Sequence, residues 1–171
     1  KDAERMQRIE KENYYLDIAE TELERSTCLR RQYGAIIVRN DEIVATGYNG
    51  APRGRKNCSD LGRCVRVQLQ VPRGERYELC RSVHAEMNAI ISAARSECIG
   101  GTIYLAGRDV ATGELIPDLL PCPMCRRMII NAGLSKIVIR RTPSTYDILN
   151  VQDWVFHDDS VIDPSESGEQ A

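Results

Sequence analysis

Apolar residues recur at two different spacings along the chain, and each spacing predicts its own element. From Asp2 to about Ser26, Met6, Ile9, Tyr14, Leu16, Ile18, Ala19 and Leu23 return at roughly helical intervals with few helix breakers, which predicts a long N-terminal helix with a charged first half. Ala35–Val38 and Ile43–Thr46 are β-branched runs flanking the polar turn Arg39-Asn40-Asp41-Glu42, which predicts a β-hairpin. The glycine-rich loop GYNGAPRG leaves that hairpin and allows backbone to approach backbone or ligand closely.

Between Arg53 and Arg81 the pattern weakens. Arginines dominate, Cys58, Cys64 and Cys80 are interspersed, and no clear period emerges. An insertion this long within a compact domain is unusual unless it is functional or cross-linked. It reads either as a solvated surface loop or as a loop folded around a metal.

Periodicity returns at Ser82–Ser96 (SVHAEMNAIISAARS), a helix for which Ser82 is the candidate N-cap. A strand is expected at Thr102–Ala106. A helix capped by Cys122 and led by Pro123 follows, ending at Asn131 or Gly133. Lys136–Arg140 is another strand, Ser144–Asn150 a short helix, and Trp154–Phe156 an edge strand or packing segment. From Asp158 onward the chain is acidic and rich in Ser, Glu and Gly, which reads as a mobile tail. The order suggests an α/β protein: one domain over residues 1–157 with helices on both faces of a mixed sheet.

Composition narrows the class of protein. The 171 residues suffice for one domain with a real core. A net charge of −2 argues against an enzyme built to grip long nucleic acid. No apolar run is long enough for a membrane helix, and the charged start is no secretory signal. Seven cysteines fit metal binding in a reducing cytoplasm better than disulfides, because two of them form a CxxC. Cys98, at a helix end, reads as a simple buried thiol.

The chemistry concentrates in HAE (His84–Glu86) and PCPMC (Pro121–Cys125). His84, Cys122 and Cys125 form a Cys2His zinc set with a fourth tetrahedral position open to water. Both segments open helices, whose N-termini favour thiolate over thiol. Zinc lowers the pKa of a bound water towards ~7 in favourable cases, and Glu86, not needed as a ligand, is free to shuttle its protons. Neither HxE nor CxxC means much alone. Together they form the H-x-E…P-C-x-x-C signature of zinc deaminases acting on nucleobases. The expected reaction is hydrolytic loss of an exocyclic amine.

STCLRRQYGAIIV, GYNGAPRG, HAEMNAI and PCPMC, in that order over about Ser26–Ile139, resemble the deoxycytidylate (dCMP) deaminases of the cytidine deaminase superfamily. The resemblance implies a three-layer fold with a central mixed five-stranded sheet. It implies zinc-dependent conversion of dCMP to dUMP, which feeds thymidylate synthesis, and commonly a homo-hexamer. By the same resemblance Asn49 touches the sugar, the backbone of Ala85 reads the pyrimidine, and Arg95 helps bind the nucleotide. It also implies dCTP and dTTP as effectors, with Mg2+ accompanying a triphosphate. Some relatives carry a second, structural zinc, for which Cys28, Cys58, Cys64 and Cys80 are available here. A deaminase of dCTP, a nucleoside or tRNA stays open as an alternative, as does a zinc-stabilised nucleotide-binding module without turnover.

Overall fold

The computed structural model describes residues 7–157. Its centre is a five-stranded sheet in the order β2-β1-β3-β4-β5, formed by β1 (Arg31–Arg39), β2 (Glu42–Tyr48), β3 (Thr102–Asp109), β4 (Lys136–Arg140) and β5 (Tyr146–Asn150). β3 and β4 run parallel, and every other neighbouring pair is antiparallel. The β1–β2 turn places Asn40 and Asp41 at φ 51° and 61°. Two successive positive φ values suit a tight hairpin, and Asn and Asp tolerate them better than most residues.

Alternation along the strands sorts the core into two layers. Ile36, Val38, Tyr104, Ala106 and Val138 face α1 (Lys11–Leu23), which meets them with Tyr15, Leu16, Ala19 and Leu23. Their neighbours Ala35, Ile37, Ile103, Leu105, Ile137 and Ile139 face the opposite layer. That layer contains α4 (Ala85–Ser92), α6 (Pro123–Ala132) and α7 (Val151–Phe156), with the single turn α5 (Arg95–Cys98) at its margin. This is the three-layer α/β arrangement expected.

α1 is fastened to the sheet by a buried charge. Arg140, 1% exposed, donates to Asn13 Oδ1 at 2.6 Å and pairs with Asp17 and Glu20. A guanidinium buried this deeply needs such partners, because its desolvation cost is several kcal/mol in real proteins.

Three expectations are corrected. Ser82 is not the N-cap of α4; His84 is. The preceding residue, Val83, exchanges backbone hydrogen bonds with Gly50 at 2.7 and 3.2 Å, so the chain stays extended until that bridge is complete. The helix then stops at Ser92 rather than Ser96, since Ala93 and Ala94 are extended before α5 begins. Ser144–Asn150 is not a helix: Tyr146–Asn150 is the edge strand β5, and the following WVF lies in α7. β4 offers an open edge to pair with, and α7 buries Val151 and packs Trp154 against the core. The first residues of the expected N-terminal helix and the tail from Asp158 lie outside the described residues, and Arg8–Glu10 are not helical.

The insertion is ordered by three short turns: α2 (Cys58–Leu61), α3 (Val65–Gln68) and the 3-10 turn Tyr77–Leu79. Arg81 Nε ties its end to the Lys56 carbonyl at 2.9 Å.

α4 sits on β2 with no side chain between the backbones. A Cβ added at Gly47 would lie 2.4 Å from the Ala85 carbonyl oxygen and 2.5 Å from the Ala89 nitrogen. We expect Gly47→Ala to lower the unfolding free energy by about 1–3 kcal/mol, the usual cost of overpacking. A reduced urea midpoint at unchanged m-value is the measurement.

Candidate active site

The site forms where two helix starts meet. His84 caps α4 and Cys122 caps α6, and both residues are extended, with ψ near 157° and 161°. Pro123 follows at the first helical position, where a missing N–H costs nothing. Cys125, one turn in and fully buried, turns back toward His84. The Sγ atoms of Cys122 and Cys125 stand 3.5 and 3.4 Å from His84 Nδ1.

These spacings fit a zinc ion. Zn–S and Zn–N bonds of ~2.3 and ~2.05 Å at a tetrahedral angle put S and N about 3.6 Å apart. Among the described residues, His84, Cys122 and Cys125 are the set of ligand-type side chains whose donor atoms converge within 4.8 Å.

Without a cation the three groups share their protons unevenly. Burial opposes a charge on His84, but the Cys122 and Cys80 thiols outweigh it and push the imidazole up to about 10. Cys122 falls to about 4, chiefly through its hydrogen bond with Cys125. Cys125 is raised by that same bond and by burial.

Glu86 lies beside this trio, only 5% exposed. Burial lifts its carboxyl above the usual carboxylate range, while His84 pulls the other way. Its hydrogen bonds go to its own backbone and to the Cys125 thiol. A cavity of about 120 Å³ opens onto His84, Glu86 and Cys122, with Tyr33 and Tyr77 among its walls. The Tyr77 ring stands edge-on to His84 at 5.6 Å between centroids.

The other expected residues divide. Asn49 lines the cavity and is 4% exposed, but its side chain already braces the fold. Its Oδ1 accepts from Ser26 Oγ at 2.6 Å and from Tyr33 N at 2.8 Å, and its Nδ2 donates to the Arg31 carbonyl at 2.9 Å. Ala85 is fully buried, and its carbonyl faces Gly47.

Arg95 is not brought to the cavity within this chain. It lies in a separate groove with Met87, Met124 and Met128, donating to the Asn131 carbonyl at 3.2 Å. The break at Ala93–Ala94 carries it there. Cys28, Cys64 and Cys80 line the cavity and lie near the buried Cys58, whose thiol burial raises, with further upward pushes from those three. They do not converge as a four-thiol set in the way the donor atoms of His84, Cys122 and Cys125 do. Cys80 is engaged instead with His84, and Cys28 Sγ accepts from the Arg30 N–H at 3.4 Å.

Tyr33, Tyr77 and the Cys80–His84 contact were not anticipated. Cys80 stands four residues before His84, and its place beside a ligand was its only local signal.

A three-layer sheet carrying a Cys2His trio with a buried carboxylate beside it matches the donor arrangement of the zinc-dependent base deaminases. Residues 9–141 match the family described as the cytidine and deoxycytidylate deaminase zinc-binding region, and the chain belongs to that family. It is 35% identical over 137 residues to the deoxycytidylate deaminase of Mycobacterium phage D29, covering 78% of this chain and 96% of that one. With the deoxycytidylate deaminase of Schizosaccharomyces pombe it shares 33% identity over 127 residues, 74% of this chain but 36% of the yeast protein. The chain thus spans about a third of the yeast relative. The dCMP deaminase of cyanophage S-TIM5 superposes with a TM-score of 0.53 at 27% identity, covering 78% of this chain and 85% of that one. A cytidine deaminase from Burkholderia pseudomallei, 19% identical, shares the fold with a TM-score of 0.54 over 82% of this chain and 92% of its own.

Zinc takes both cysteines as thiolates and His84 as neutral imidazole, so its uptake should release protons near neutral pH, and affinity should fall as pH falls. Proton release in weak buffer measures this. Cys125→Ser should reduce the zinc retained per chain.

Proposed function

We propose that the chain is a zinc-dependent deaminase converting dCMP to dUMP and ammonia. The observation that carries this reading is Glu86: a buried carboxylate beside the His84–Cys122–Cys125 trio, facing the same cavity and not needed as a ligand. A purely structural zinc site would have no use for it. The substrate is favoured by relatives named deoxycytidylate deaminase, among them one matched over 96% of its length.

Bound by His84, Cys122 and Cys125, zinc supplies a Lewis acid that makes water a nucleophile at neutral pH. The chain's own part is proton handling. Glu86 takes a proton from the attacking water and delivers it to ring N3 as oxygen adds to C4. It then carries a proton to the exocyclic nitrogen, the C4–N bond breaks, and ammonia leaves with a carbonyl in its place. Burial raises the proton affinity of Glu86, the direction in which enzymes tune a general acid–base carboxylate.

Ammonia release from dCMP, dCTP, deoxycytidine and a tRNA anticodon loop, compared side by side, tests the substrate. dCMP should be deaminated fastest, and no release from dCMP would refute the assignment. Glu86→Ala should keep its zinc and lose at least about a hundredfold in kcat, within the range of a general acid–base contribution. A near-normal rate would remove Glu86 from the mechanism.

A further inference from the structure

The lining of the cavity also carries four arginines: Arg30 and Arg31 at the start of β1, and Arg66 and Arg73 from the insertion. Two of these are already engaged. Arg31 hydrogen-bonds the Tyr33 side chain, and Arg73 pairs with Asp118 at 3.2 Å where both are exposed.

Arg66 is different. It is 8% exposed, yet no carboxylate pairs with it among the described residues. One terminal nitrogen donates to the carbonyls of Pro72 and Glu75 at 3.1 and 2.6 Å, and the guanidinium lies 4.7 Å from the centroid of the Tyr77 ring. Its Nε is buried with no hydrogen-bond partner. Carbonyl dipoles and a ring face hold the side chain in place, and Glu78, whose carboxyl feels its charge, pairs with Arg76 instead. A buried cation normally finds an anion, and this one faces a cavity built for a ligand.

We propose that Arg66, helped by Arg30, binds the 5′-phosphate of a nucleoside monophosphate, so that the insertion is the cavity's phosphate-reading wall. The guanidinium fork suits a phosphate better than an ammonium would, because it offers paired donors in a fixed plane. Tyr77 joins the two ends of the cavity, since its ring meets the Arg66 guanidinium and stands edge-on to His84. The base would lie at the Glu86 end and the phosphate at the arginine end. This assignment rests on the deaminase reading for its choice of nucleotide, but not for its geometry.

The test uses the product, which needs no turnover. Calorimetric affinities of the full chain for dUMP, deoxyuridine and inorganic phosphate are compared. dUMP should bind at least about tenfold more tightly than deoxyuridine, as expected for charge-assisted hydrogen bonds to a phosphate, and far more tightly than inorganic phosphate. Arg66→Gln retains a donor for the Pro72 and Glu75 carbonyls and should erase most of the preference for dUMP. Arg66→Lys should restore part of it. Equal binding of dUMP and deoxyuridine by the unaltered chain would overturn the proposal. So would a variant that weakens both ligands alike, the outcome of a merely structural role, or inorganic phosphate matching dUMP. Should the Arg66 variants not fold, exposed Arg30→Gln decides: a narrowed preference supports the site and an unchanged one sinks it. A chain that prefers dUMP but releases no ammonia from dCMP would refute the deaminase reading and leave the phosphate site standing.

Discussion

The first turn of α4 lies directly on the sheet, and the site depends on that contact. Gly47 lets the Ala85 carbonyl and the Ala89 amide approach β2 with nothing between them, while Ala85 and Ala89 are fully buried. One residue earlier in the chain, the Gly50–Val83 bridge stops the helix from starting sooner. These two constraints hold His84 at the cap and Glu86 in the first turn. α6 needs only to present its own cap opposite, and Pro123 sets the φ with which it begins. The same device recurs on the far face, where a Cβ at Gly34 would lie 2.0 Å from the Ala19 carbonyl of α1.

Electrostatics then give the cavity its polarity. At one end, two helix N-termini and an imidazole favour thiolate, and the protons that remain are those a divalent cation would displace. From the insertion the cavity receives Arg66, a guanidinium buried without an ion pair. Burying both a carboxylate and an unpaired arginine is costly for stability, and such costs gather at functional sites. Arg140 is the counterexample within the same chain: equally buried, it is paired with Asp17 and Glu20 and holds α1 in place.

Much of this was legible along the chain because the relevant physics is local. The spacing of HAE and PCPMC, the proline after Cys122 and the β-branched runs of the hairpin each act over a few residues. Errors arose where a distant partner decided. Tyr146–Asn150 had no strong preference of its own, and the free edge of β4 made it a strand. The helical pattern ran on to Ser96, but the break at Ala93–Ala94 ended α4 at Ser92 and set Arg95 in a groove of its own. Arg66 looked like one more charge in a basic run. Its neighbour Val65 is half-buried and Val67 exposed, so the flanking residues gave little local sign that this arginine is buried.

The sequence by itself determined the donor chemistry: which imidazole, which thiols and which carboxylate, at spacings that only helix starts make useful. It also determined the alternation that divides the core into two layers. Only the tertiary structure decided what faces what. Burial, and with it the proton affinity of Glu86 and the unmet charge of Arg66, depends on residues far apart in the chain. So does the fate of Cys28, Cys58, Cys64 and Cys80, four thiols that a count of cysteines could propose as a metal set. Cys80 was drawn instead to His84, because α4 begins where the bridge to Gly50 ends and brings the imidazole within its reach.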